Sequence, residues 1–147
     1  MASFLPAQET HIEIVLNMCE QLFSHGGDPF DIDRHRLALS ELIREPRFGG
    51  AWLIQSSGET AGYFVLTVCY SLEFAGSFGL LDELYLMEAW RAAGLGAEAL
   101  AFAEDECRRR GLQAVRLEVG HTNARALALY AGRGFHAEDR HLMTKWL

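Results

Sequence analysis

The chain has little of what would place it in a membrane, in an oxidising compartment or on nucleic acid. Nowhere do about eighteen uncharged apolar residues run together, which is the length at which a bilayer-crossing helix becomes credible. Met1 to Pro6 lacks the basic start and apolar run of a secretory leader, so a cytoplasmic protein without membrane association is expected. There are only three cysteines, Cys19, Cys69 and Cys107, far apart and without a C-x-x-C pair. That pattern reads as reduced thiols. Positive charge is scarce: 13 Lys and Arg face 20 Asp and Glu, for a net charge of −7. The excess of cations that sequence-independent nucleic-acid binding needs is missing. Six histidines are scattered without paired Cys or carboxylate spacing, so no metal site is expected. Proline, at three, and glycine, at 14, are near average, and no repeat or low-complexity tract occurs.

What is present is the composition of a soluble globular domain, half hydrophobic and 22% charged. At 147 residues it forms one domain, 1–147. The break at Ser24 to Pro29 reads as a loop inside that domain. Apolar residues recur at helical spacing from about Ala7 to Phe23 and again over Asp33 to Arg44, before Pro46. The period then shortens. Ala51 to Gln55 and Thr60 to Tyr70 read as strands joined by the hairpin-length link Ser56-Ser57-Gly58-Glu59. A third strand runs from Leu80 to Met87.

Gly94 to Arg110 is helical and stops at Gly111. Ala114 to Val119 is a short strand, Asn123 to about Arg133 a helix, and Gly134-Phe135 opens a closing pair of strands ending at Trp146. Strand, helix, strand, helix order implies a right-handed crossover and one parallel pair in an otherwise antiparallel sheet. The fold class is mixed α/β. Near the end of the long helix, Glu104, Asp105 and Glu106 each precede one of Arg108, Arg109 and Arg110 by four residues. The arginines therefore read as helical ion-pair partners rather than as a phosphate patch.

Two features carry chemistry. Asp82 and Glu83 interrupt the third strand, and burying such a pair beside apolar neighbours is costly unless something uses or satisfies it. Alternation along a strand puts them on opposite faces, so that one of them at most faces a reacting centre directly. The other feature is Arg91-Ala92-Ala93-Gly94-Leu95-Gly96-Ala97, a glycine-bearing turn at the start of a helix. Free amide N–H groups and the positive end of the helix dipole suit such a turn to a diphosphate. A tight loop packed against its helix is the plainer reading. Gly94-Leu95-Gly96-Ala97-Glu98-Ala99 also fits a dinucleotide-binding fingerprint, with Glu118 at the next strand. Against that, Met87 to Ala93 separate the strand from the first glycine, and too little chain follows Glu118 to complete a doubly wound sheet.

Leu84-Tyr85-Leu86, then Arg91-Ala92-Ala93-Gly94-Leu95-Gly96, then Leu117-Glu118-Val119, Asn123, Tyr130 and Gly134-Phe135 follow one another as in the GNAT family of N-acetyltransferases. The chain resembles that family over roughly 50–135. The resemblance implies a mostly antiparallel sheet flanked by helices, and transfer of an acetyl group from acetyl-CoA to an amine without a metal. It implies that backbone groups of Leu84, Tyr85 and Leu86 bind the pantetheine, and that Ala92, Ala93, Gly94, Leu95, Gly96 and Ala97 cradle the pyrophosphate with Arg91 beside it. It makes Tyr130 the acid that protonates the departing thiolate, a role for which a phenol that keeps its proton at neutral pH is suited. A surface charge for Arg91 and a core packing role for Tyr130 are the structural alternatives.

Asn123 is foremost an N-cap for its helix, alongside a cofactor contact. A protonated amine must lose a proton before attack, which makes Asp82 and Glu83 candidate bases. Polyamine-type relatives carry a carboxylate four residues before the position of Leu86, which places Asp82 first. Its side chain is shorter than the glutamate common there, which favours relay through water. A salt-bridged or edge-exposed acid pair is the structural alternative for both. Phe30, Asp31, Tyr70, Glu73 and Phe74 are candidate substrate contacts. Homodimers are common in the family. Acetylation of a protein lysine or N-terminal amine, non-catalytic acyl-CoA binding, and dinucleotide binding are the competing functions.

Overall fold

Five strands cross one sheet in sequence order in a computed structural model that describes all 147 residues: β1 (Ala2–Pro6), β2 (Gly49–Ser56), β3 (Glu59–Ser71), β4 (Gly76–Leu86) and β5 (Val115–Leu117). β1 to β4 pair antiparallel, and β5 runs parallel to β4. The β2–β3 hairpin turns on Ser57 and Gly58, both with positive φ (52° and 81°), the conformation that matches the twist of a two-residue hairpin. A single parallel pair excludes the doubly wound sheet that the dinucleotide-binding reading requires.

Four helices cover the two faces: α1 (Ile12–Gly26), α2 (Ile32–Arg44), α3 (Leu95–Arg109) and α4 (Ala124–Gly132). Alternation along the strands sorts the core into two layers. Trp52, Ile54, Phe64 and Leu66 pack with Leu95, Ala99, Leu100 and Ala103 of α3. Ala51, Leu53, Tyr63 and Val65 pack on the other face with Val15, Leu16 and Cys19 of α1 and Leu39 of α2. Each fully buried large side chain, such as Phe64 or Leu100, contributes about 1.5–3 kcal/mol over leaving it in water. The helix ends follow local chemistry. Asp31 caps α2 by accepting from the amides of Asp33 and Arg34, and Gly27 closes α1 in the left-handed conformation.

Four expectations are corrected. Ala2–Pro6, passed over in the sequence, is an edge strand on β2. The helix after it begins at Ile12, following a 3-10 turn over Glu9–His11. The closing pair of strands does not form: no strand follows β5, and Leu142, Met143, Trp146 and Leu147 are exposed. Finally, the α3 arginines pair differently from a uniform four-residue pattern. Arg108 meets Glu104 at 3.6 Å and Asp105 at 2.6 Å, but Arg109 pairs with Glu106 and not with Asp105. Buried Glu106 also holds Arg110 at 2.6 Å, and Arg110 donates on to the carbonyls of Pro46 and Gly49. This ties the end of α3 to the start of β2.

Candidate active site

β4 and β5 part company halfway along β4. Their pairing ends at Leu81 opposite Leu117, so the stretch of β4 from Asp82 to Leu86 has a neighbour only on its β3 side. The β5-facing main-chain edge of Leu84, Tyr85 and Leu86 has no strand partner there and, apart from the Leu86 carbonyl, which accepts from Arg91, is available to a ligand that hydrogen-bonds like a strand.

A bulge sits at the same point. On β3, Val65 pairs with Glu83 and Leu66 with Leu81, leaving Asp82 as the extra residue. Alternation is reset there: Leu81 packs in the α3 layer, as do Leu84 and Leu86, while Tyr85 packs in the α1/α2 layer. The expectation that Asp82 and Glu83 face opposite ways is thus overturned. Both residues line the same cavities.

Burial raises the pKa of Glu83, and the negative charge of Asp82 adds to this. The hydrogen bond from Cys19 and the charge of His35 act the other way. The Cys19 thiol donates to Glu83 Oε1 at 3.3 Å; burial, and then the Glu83 charge, push that thiol up to about 12. The hydroxyl of Tyr63, a residue with no exposed surface, has no hydrogen-bond partner. Its pKa is raised by burial and by the neighbouring charge of Glu83. Asp82 stands at the exposed mouth, yet desolvation by the surrounding walls still raises its pKa. Neither acid forms a salt bridge, which removes the structural reading of an ion-paired couple.

The glycine-bearing turn leads into α3. Ala92 and Gly94 both have positive φ (67° and 82°), and the amides of Ala97 and Glu98 bond back to the Gly94 carbonyl. The amides of Ala92, Ala93, Gly94, Leu95 and Gly96 have no backbone acceptor. They form a run of free donors at the positive end of a 15-residue helix. Arg91 folds back, its Nε donating to the Leu86 carbonyl at 2.9 Å with the guanidinium over the Tyr85 ring.

Between β4, β5 and α4 lies a cavity of about 220 Å³, lined by Leu81, Asp82, Glu83, Leu84, Glu118, Asn123 and Tyr130 among others. Tyr130 is half-buried and its ring packs on Phe135 at 5.9 Å. Burial raises its pKa, so the phenol keeps its proton well beyond neutral pH. Asn123 caps α4 by accepting from the Ala126 amide at 3.2 Å, as its sequence position suggested.

On the other face, a cavity of about 350 Å³ opens between α1, α2 and the sheet, and Asp82 and Glu83 line it too. The five candidate substrate contacts do not converge on it. Asp31 caps α2, Phe30 meets Phe23 edge-on and lies tilted against His35, and Tyr70 is 76% exposed. Glu73 pairs with Arg116 and Arg140, while Phe74 packs on Phe78. Cys19, Tyr63 and His35 join the site instead. Their sequence contexts, a helix face and a strand, give no signal that would separate them from core or surface positions.

The residues of this site fall within a stretch matched by a known family. Residues 15–135 match the model of the acetyltransferase (GNAT) family. An IAA acetyltransferase of Azospirillum brasilense is 26% identical over 125 residues, covering 84% of this chain and 77% of that protein. An integron cassette protein from the mobile metagenome of Cole Harbour Salt Marsh superposes with a TM-score of 0.85 at 26% identity, over 98% of this chain and 90% of the other. An aminoglycoside N-acetyltransferase in complex with CoA superposes with a TM-score of 0.81 at 14% identity, over 99% and 95% of the two chains. Because that family model spans most of its length, from 15 to 135, the chain belongs to the GNAT family of acetyltransferases.

Proposed function

We propose that this protein is an acetyl-CoA-dependent N-acetyltransferase acting on a small-molecule amine. One observation carries the reading: Tyr130, Asp82 and Glu83 line a single cavity where β4 and β5 separate. Bound there, acetyl-CoA supplies a thioester whose C–S bond breaks as the amine nitrogen forms the new C–N bond. Everything else falls to the chain. Its run of five free amides, at the positive end of α3, fits the charge and size of a pyrophosphate without help from net charge. At Gly94, where φ is 82°, an added Cβ would meet no atom within 4 Å, so this side of the turn is open to a ligand. The unpaired β4 edge at Leu84, Tyr85 and Leu86 suits the amides of a pantetheine arm, and Arg91 sits beside both. Asn123, besides capping α4, lines the same cavity.

The proton traffic divides between two groups. Glu83 is the better-held base, fixed by Cys19 and partly withdrawn from water. Asp82, at the mouth, acts through water or receives the ammonium. Their raised pKa values bring them toward the range where a carboxylate can take a proton from an ammonium. Tyr130, kept neutral by burial, gives its proton to the sulfur that leaves. Free-thiol release from acetyl-CoA across amines, amino acids, aminoglycosides and peptides tests the reading. Turnover with at least one small amine supports it, whereas turnover only with peptide amines points to a protein substrate.

A further inference from the structure

The 350 Å³ cavity between α1, α2 and the sheet has mostly apolar walls, with two acids on β4, Asp82 and Glu83, and one on α2, Glu41. Its walls are Val15, Leu16 and Phe23 from α1, Leu39 and Leu42 from α2, and Val65 from β3. Val15 and Leu16, at 2% exposed, and Leu39, at 8%, are fixed parts of the core. The aromatic side continues through Phe23, whose ring meets His35 edge-on at 4.9 Å. Asp82 and Glu83 stand where this cavity and the Tyr130 cavity meet, since both residues line each of them. Phe48, 40% exposed, also lines it. The remaining polar groups are His35, Thr67 and Glu41, the last an exposed residue of α2. The Nδ1 of His35 is engaged with the Asp31 carbonyl at 2.7 Å.

We propose that the acceptor is a primary amine on a compact apolar body, its nitrogen held at Asp82 and Glu83 and its alkyl or aryl part seated between α1, α2 and β3. The inference rests on the acetyltransferase reading and narrows its substrate. The volume is near the lower end of ligand pockets, which span about 300–1,000 Å³; it takes one ring or a short chain, not an aminoglycoside. A second ammonium placed among Val15, Leu16, Leu39 and Leu42 would lose its hydration with no partner, and buried unpaired charge is among the costliest arrangements in a protein. Glu41 is the single acid that a long diamine could reach away from Asp82 and Glu83. The apolar walls, by contrast, gain from every methylene or ring carbon they cover. The amine gives up one proton at the carboxylate end before its nitrogen bonds the acetyl carbon.

The test is the kcat/KM for thiol release from acetyl-CoA with hexylamine, 2-phenylethylamine, 1,6-diaminohexane, spermidine and kanamycin. The expected result is at least a tenfold preference for hexylamine and 2-phenylethylamine over the other three. A second variable is Phe48→Lys, a change at a position already 40% exposed, in protein whose melting temperature matches wild type. It is expected to raise the KM for 2-phenylethylamine about tenfold or more while the KM for acetyl-CoA stays within twofold. Equal or better turnover of 1,6-diaminohexane, spermidine or kanamycin would overturn the inference and leave the acetyltransferase reading standing, as would an unchanged KM in the Phe48→Lys protein. Absence of thiol release with every amine, peptides included, would overturn both.

Discussion

A carboxylate that takes a proton from an ammonium near neutral pH works best when its own pKa has been lifted toward that pH, and burial does this to Glu83. The same burial has a cost to folding. Because the folded pKa lies above the unfolded value, the contribution of Glu83 to stability is fully present below the unfolded pKa and is lost as pH rises through the folded one. Glu83→Gln should therefore lower kcat by at least tenfold, yet raise the melting temperature at pH 8, with the gain vanishing near pH 4 where wild type is protonated too. A matched pair of thermal melts checks the sign. Asp82→Asn, at the exposed mouth, should cost less activity than Glu83→Gln; the reverse order would move the base to Asp82. In the kcat/KM profile of wild type, the acidic limb should fall as pH drops through a carboxyl pKa above the ordinary range. For Tyr130→Phe the loss belongs in kcat, roughly 100-fold as for other positioned general acids, with the KM for acetyl-CoA nearly unchanged. Steady-state kinetics at saturating amine decides it.

At the scale of elements, β4 governs the site. Its approach to β3 requires glycine at position 62, where an added Cβ would lie 2.1 Å from the Tyr85 carbonyl oxygen. Backbone cannot step aside cheaply there, and Gly62→Ala is expected to cost about 1–3 kcal/mol, as other overpacked positions do, in urea unfolding. Asn123→Ala should remove the α4 cap at a cost of about 1 kcal/mol. The order of elements was legible because periods of 3.6 and 2 were well separated, as in Val15, Leu16 and Cys19 against Trp52, Ile54, Phe64 and Leu66. What was not legible depended on pairing. Ala2–Pro6 is short, half exposed and ends in proline, so only its ladder with β2 marks it as a strand. Leu142 to Trp146 carry apolar residues suited to a strand, but β5 is three residues long and offers little edge to pair with. The bulge at Asp82 leaves no trace in residue type, and it reverses where a neighbouring carboxylate points.

For the molecule as a whole, the sheet separates two cavities that meet at Asp82 and Glu83, one beneath α4 and one beneath α1 and α2. An acyl donor and an acceptor can thus come from different sides of one strand, and in a chain acidic overall at −7 the proposed diphosphate site relies on backbone amides rather than on cations. The motif order from Leu84 to Phe135 made the family, and with it the proposed donor half of the site, readable in advance. The acceptor half was not, because α1 and α2 present residues that look like ordinary core until they are placed over β3 and β4. The central claim is that the head of α3 grips the diphosphate of CoA. Titration calorimetry of free CoA into wild type and Gly96→Glu tests it directly, since an added Cβ meets Leu129 and Leu86 at ordinary contact distances of 3.6 and 3.9 Å and a glutamate suits the first helical turn while repelling phosphate. Saturable heat in wild type and at least tenfold weaker binding in a variant of unchanged melting temperature is the predicted result. No heat in wild type at millimolar CoA, or equal binding by the two proteins, would contradict it.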